Sequence, residues 1–224
     1  MIIVNTPQNP TGAVLTHDDL AQIAEFAVKH NLIVLSDEIY GRILYDGVKH
    51  VSLATFPGMA ERTIILDGFS KTYAMTGWRL GYGIFPTAEM AAHVARLQTN
   101  VTSCTASFTQ MAGVQALRGP QDEADAFVVE FKKRRDAIVQ GLNSVPGFKC
   151  LTPHGAFYAF PNITGTGRDS KWLADYLLNE AGVACLSGTS FGSYGDGFLR
   201  FSYANSIENI ELAMARIQKS VAAL

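Results

Sequence analysis

Charge of either sign is scarce in this chain. Its 18 lysines and arginines nearly balance its 20 aspartates and glutamates, leaving a formal net charge of −2. Nothing in that balance predicts a nucleic acid or an anionic membrane as partner. No apolar run is long enough to cross a bilayer, and none reads as a secretory leader. Cysteine is also rare. Cys104, Cys150 and Cys185 are odd in number and far apart, which gives neither a disulfide framework nor a metal-ligand spacing and predicts a reducing, cytoplasmic setting. The five histidines (His17, His30, His50, His93 and His154) show no paired spacing, so no metal site is expected. The basic run Lys132–Arg135 sits in a helical pattern with Glu130 and Asp136 and reads as a solvated helix face.

What the chain does have is apolar material in an alternating order. Hydrophobic residues make up 48% of its 224 positions, enough for one large domain or two small ones. Ile2–Val4, Leu32–Leu35, Thr63–Leu66 and Leu80–Phe85 are short apolar runs of the kind expected of strands covered on both sides. Thr16 can cap a helix with Leu20, Ile23, Ala24 and Ala27 on one face. Further helical patterns cover 87–118, about 122–142, 170–180 and 207–221, with short strands at 156–160, 183–186 and 198–202. This is the order of an α/β layer structure, in which ligands gather beyond the carboxyl ends of parallel strands. Gly119-Pro120 marks a break, and the domain boundary is expected near residue 120. Met1 opens directly into Ile2-Ile3-Val4, which reads as a start in mid-domain.

Four segments carry chemistry. Asn5-Thr6-Pro7-Gln8-Asn9-Pro10-Thr11-Gly12 follows the first strand, and Ser36-Asp37-Glu38-Ile39-Tyr40-Gly41 follows the second. Asp67-Gly68-Phe69-Ser70-Lys71 follows the third, with Arg79 eight positions after the lysine. Leu199-Arg200-Phe201-Ser202-Tyr203-Ala204 lies near the C-terminus. A lysine that attacks carbonyls needs a lowered pKa, from burial or neighbouring cations. A carboxylate at the end of an apolar strand needs a cationic partner, and a guanidinium between apolar neighbours needs an anion. Taken singly, each residue has a plainer reading: Lys71 as a surface lysine, Asp37 as a turn aspartate, Asn9 as a turn asparagine, Tyr40 as core, and Arg200 in a structural salt bridge.

In this order, the four segments resemble the class I/II aminotransferases, the fold-type I enzymes that use pyridoxal 5′-phosphate (PLP). The resemblance runs from residue 1 to residue 224. It implies an α/β fold: the C-terminal part of a large mixed-sheet domain over 1–120, then an interdomain helix and a small C-terminal domain over 121–224. It implies that Lys71 carries the cofactor as a Schiff base and that Asp37 pairs with the protonated pyridine nitrogen. Asn9 and Tyr40 are matched to the 3′-oxygen, Arg79 and Ser70 to the phosphate, and Arg200, with Asn9, to the substrate α-carboxylate. Many relatives have a phosphate-binding serine at the third position before the lysine, where this chain has Gly68. The implied reaction moves an amino group between an L-amino acid and a 2-oxo acid, in a cytoplasmic enzyme that is a homodimer at full length. A PLP-dependent lyase or synthase of the same fold shares these motifs. A non-catalytic fragment or PLP-binding module is the other alternative, because the family's upstream segment, with a phosphate-binding loop and a ring stacked on the pyridine, is not found here.

Overall fold

The computed structural model describes residues 1–224, in two compact units. Met1–Pro7 and Val14–Ala126 form the first; Gln8–Ala13 and Phe127–Leu224 form the second. In the first unit, strands β1 (Ile2–Asn5), β2 (Val34–Asp37), β3 (Thr63–Gly68) and β4 (Gly81–Ile84) make a four-stranded sheet in that order. β1, β2 and β3 are parallel, whereas β4 runs antiparallel to β3, so the sheet is mixed. The parallel register aligns Asn5 with Asp37, and Asp37 with Leu66, so β1 and β2 finish level and β3 runs two residues further, to Gly68.

Helix α1 (His17–Lys29) begins where the sequence places its cap. Thr16 Oγ1 accepts the Asp19 N–H at 3.1 Å, while Asp19 Oδ2 accepts the Thr16 N–H at 2.9 Å. Leu20, Ala24 and Ala27 then pack with Val4, Val34, Leu53 and Met59 as the core on one face of the sheet. Helices α2 (Ala88–Val101) and α3 (Ser107–Arg118) follow β4. Strand β4 is exposed along its whole length and α2 buries no residue, so this end of the unit differs from the doubly covered strands that the apolar run predicts.

The second strand is displaced from its apolar run, Leu32–Leu35. The Leu32 N–H is taken by Ala27 O at the end of α1, and pairing with β3 begins only at Val34 and extends through Ser36 to Asp37. Ladder hydrogen bonds, not hydropathy, fix its ends.

Helix α4 (Asp122–Asn143) contains the division between the two units, after Ala126. In the second unit, β5 (Tyr158–Ala159), β6 (Leu186–Ser187) and β7 (Leu199–Ser202) form a three-stranded sheet in the order β5-β7-β6, with both pairs antiparallel. Two of these strands are shorter than their patterns predict. Ala156 has φ +55°, which an extended strand does not allow, and the Val183 N–H is held by Leu177 O in a helix-ending turn. Helices α5 (Ser170–Ala181) and α6 (Ile207–Val221) bury Leu173, Leu177, Ile210, Met214 and Ile217. Asp169 and Ser206 cap their first turns. The segment Gln8–Ala13 belongs here because Gly12 O accepts the N–H groups of His154 and Gly155 at 3.1 and 3.0 Å. No helix is long and apolar enough to cross a membrane.

Candidate active site

Within the first unit, the ends of β2 and β3 carry Asp37 and the loop containing Lys71. The backbone at Asp37 is fixed from the β1 side: Asp37 O accepts from the Thr6 N–H at 3.3 Å and from Asn5 Nδ2 at 3.2 Å. Its Oδ1 accepts the Ile39 N–H at 3.3 Å, a turn that leaves carboxylate capacity for a ligand. Tyr40 is buried, and Lys71 Nζ lies 5.9 Å from the centre of its ring, so an amine and a phenol share one neighbourhood.

The Lys71 loop is stitched to itself. Phe69 O accepts the N–H groups of Tyr73 and Met75, Lys71 O accepts that of Ala74, and Phe69 N–H reaches Leu80 O on the way into β4. Two non-glycine residues of this loop, Ala74 (φ +51°) and Arg79 (φ +55°), hold left-handed backbone, which costs on the order of 1–3 kcal/mol and persists where the surroundings over-determine it. Arg79 Nη1 donates to Thr76 O at 2.9 Å, and the remaining guanidinium face borders an open groove of about 790 Å³. Trp78, Thr105 and Phe108 line that groove, and neither Lys71 nor Asp37 does. Ser70 lies in the loop, partly exposed.

Gly68 has a local cause. It pairs with Gly81 across β3 and β4, and a β-carbon on it would lie 3.0 Å from Gly81 Cα and 3.1 Å from Leu80 O. A serine there would press on backbone, which has little room to give. A carboxylate, an amine and a phenol beyond the ends of β2 and β3 are groups that a phosphorylated pyridine aldehyde can use, so these residues fit PLP, while the Arg79 guanidinium lies on the open groove that Lys71 and Asp37 do not line.

The second unit brings Asn9 and Arg200 together. On β7, Leu199 and Phe201 face the core, and alternation sends Arg200 to the opposite face. The guanidinium lies between two rings, 4.7 Å from the centre of Tyr158 and 4.8 Å from that of Phe191. Its Nη1 donates to Asn9 Oδ1 at 2.9 Å, and its Nε is buried without a hydrogen-bond partner. None of these partners is an anion. A buried donor left unsatisfied costs about 1–3 kcal/mol, which an incoming carboxylate would remove.

The sequence profile of aminotransferase class I and II matches residues 1–217. The chain belongs to this family. Among aminotransferases, it is similar to aromatic-amino-acid aminotransferase 2 of Thermococcus litoralis, with 44% identity over 220 residues, covering 97% of this chain and 56% of the relative. It is 45% identical over 220 residues to aspartate aminotransferase of Pyrococcus abyssi, with the same two coverages. The solved aromatic aminotransferase of Pyrococcus horikoshii OT3 superposes with a TM-score of 0.95 at 42% identity, covering 99% of this chain and 59% of that one. The chain thus spans about 56% of the length of the curated relatives it matches. The fold is that of fold-type I aminotransferases.

Two features of the site were not legible in the sequence. Phe191 stacks on Arg200 from a short 3-10 turn, Gly188–Phe191, that no periodicity marks. Glu38 and His50 are joined at 2.7 Å; the only hint was a second acid next to Asp37 at a strand end.

Proposed function

We propose that this chain carries the catalytic residues of an aminotransferase that moves an amino group between an L-amino acid and a 2-oxo acid, with PLP on Lys71. The observation that carries the reading is the buried, unpartnered Nε of Arg200, held between two rings in a chain of this family. When bound, PLP supplies an electron sink for the substrate α-carbon. Lys71 Nζ would be the attachment point and, as a free amine, would take the proton from that carbon. Asp37 would hold a proton on the ring nitrogen, which would keep the sink effective. Tyr40 and Asn9 donate to the 3′-oxygen, while Arg79 and Ser70 hold the phosphate, the arginine through its bidentate fork. Arg200, steadied by Asn9, takes the α-carboxylate shared by every amino acid and 2-oxo acid. The relatives' names divide between aspartate and aromatic substrates, and the residues assigned here read only what those substrates have in common.

The same reading includes a cytoplasmic homodimer in amino-acid metabolism. Three free cysteines are in keeping with a reducing compartment, and the exposed apolar residues of α2 and α3 with a partner surface. The test is chemical. PLP is added to the chain, borohydride fixes the adduct, and peptide mapping locates the label. Label on Lys71 is expected, and, in a separate sample left unreduced, release of a 2-oxo acid from an added L-amino acid. Label on another lysine would remove the assignment.

A further inference from the structure

Strand β2 ends in a buried polar cluster on the face opposite Asp37. Val34, Ser36 and Glu38 alternate onto the covered face: Val34 joins the core with Leu53, Ser36 is 1% exposed and Glu38 8%. A carboxylate there requires donors, and three supply them. Ser36 Oγ and Ser52 Oγ donate to Glu38 Oε1 at 2.9 and 2.7 Å, and His50 Nε2 donates to Oε2 at 2.7 Å. Burial pushes the Glu38 carboxyl up, but the hydrogen bonds from His50, Ser52 and Ser36, with the charge of His50, outweigh it and hold the group below the usual carboxylate range. Ser52 also caps the short turn Leu53–Thr55, which ties the cluster to the core. On β3, Asp67 faces the same charge. Burial, and secondarily the negative Glu38, raise its pKa against the donors Gly68 N–H and Tyr82 OH.

The turn beyond β2 hangs on this cluster. The Glu38 N–H donates to Leu66 O at 2.9 Å, and Glu38 O accepts the Gly41 N–H at 2.7 Å. The His50 ring packs against that glycine: a β-carbon on Gly41 would lie 3.3 Å from His50 Cδ2. Asp37 and Tyr40, the candidate site's residues on this turn, are flanked by these anchors.

We propose that Glu38 and His50, with the hydroxyls of Ser36 and Ser52, form a positioning network that holds the Asp37–Gly41 turn, and through it the Asp37 carboxylate and the Tyr40 hydroxyl, in the geometry that PLP requires. This rests on the reading that Asp37 and Tyr40 contact PLP. Groups behind a ligand contact fix its orientation; in metal sites their loss typically costs roughly 10–100-fold in affinity or activity.

The test uses the 224-residue chain with Glu38→Gln, His50→Gln and Ser52→Ala. Ala27→Gly, at a buried helix position away from the turn, is the stability control. PLP is the probe. The absorbance spectrum and dissociation constant of bound PLP are measured, together with amide hydrogen exchange at Ile39 and Gly41. Glu38→Gln and His50→Gln are expected to weaken PLP binding about tenfold, displace the absorbance maximum and speed exchange at both amides. Ser52→Ala should move all three less and in the same direction, and it decides the matter if a charge-altering variant fails to fold. Ala27→Gly should lower the melting temperature and leave the spectrum in place. The network is overturned if Glu38→Gln and His50→Gln melt earlier but keep the wild-type spectrum, PLP affinity and exchange. If the wild-type chain takes no PLP on Lys71, the functional reading falls separately, and exchange still decides the network. Unaltered protection at Ile39 and Gly41 then overturns it, whereas faster exchange confined to the turn supports it.

Discussion

Arg200 is held on the face of β7 opposite Leu199 and Phe201. The two rings and Asn9 hold its plane, while the core face of β7 consists of Leu199 and Phe201. Arg200→Ala should therefore weaken 2-oxo-acid binding by about tenfold or more, the loss of a charge-assisted pair being on the order of 1.5–3 kcal/mol. Arg200→Lys should recover little of it, because an ammonium lacks the planar fork and stacks less well. Calorimetric titration with a 2-oxo acid, beside thermal melting, checks both; near-equal affinity in Arg200→Ala would remove the arginine from the site. Glu38 gives a pH signature. Its folded pKa lies below its unfolded value of roughly 4.3, so the stability it contributes is complete above that value and lost as pH falls through the lowered one. Urea unfolding should find Glu38→Gln less stable by about 1–3 kcal/mol near pH 7, with the gap closing below about pH 4; a gap independent of pH would contradict it. Asp37 and Lys71 stood out in the sequence because polar residues followed apolar strands, and Arg79 because it lies eight positions after the lysine. Phe191 and His50 did not, because each meets its partner, nine and twelve residues away, through irregular chain that follows no helical or strand period.

At the scale of elements, the loop Gln8–Ala13 depends on Gly12. This residue has φ +68°, and a β-carbon on it would meet Pro153 Cβ at 2.4 Å and Tyr158 O at 2.8 Å. Gly12→Ala is strained both in backbone and in space, and should cost on the order of 1–3 kcal/mol. It should also weaken 2-oxo-acid binding, because Asn9 is carried on the same loop as Gly12. A variant with wild-type melting and wild-type binding would show that the loop is not held this way. The helices were the most legible elements: α6 occupies the residues its periodicity marks, and α1 starts at its capping box. Strands were less legible. An apolar run marks where a strand lies, whereas its ends are set by hydrogen bonds that hydropathy does not show, as at Leu32 and Ala156. The antiparallel direction of β4 left no mark in the sequence beyond the close Gly68–Gly81 pair.

Taken whole, the chain exposes much apolar surface in its first unit: Ile3 on β1, Ile84 on β4, Leu97 and Val101 on α2, and Phe108 and Met111 on α3. β1 and β4 are also the edge strands of their sheet. Such surface promotes association, so the purified chain is expected to self-associate as its concentration rises. Light scattering coupled to gel filtration is the measurement, and a concentration-independent monomer would refute the expectation. The assignment of Gln8–Ala13 to the second unit bears on the order in which the molecule can be made. Ribosomes deliver Gly12 early, long before Pro153, His154 and Gly155 exist to receive it. The second unit therefore has no contiguous blueprint: it is completed by a splice between the start of the chain and its later half. The entropic cost of closing so long a loop grows only logarithmically with its length, so equilibrium stability suffers little, but the joining is a non-local and hence slow event in folding. Residues 127–224 expressed alone would be a socket without its plug.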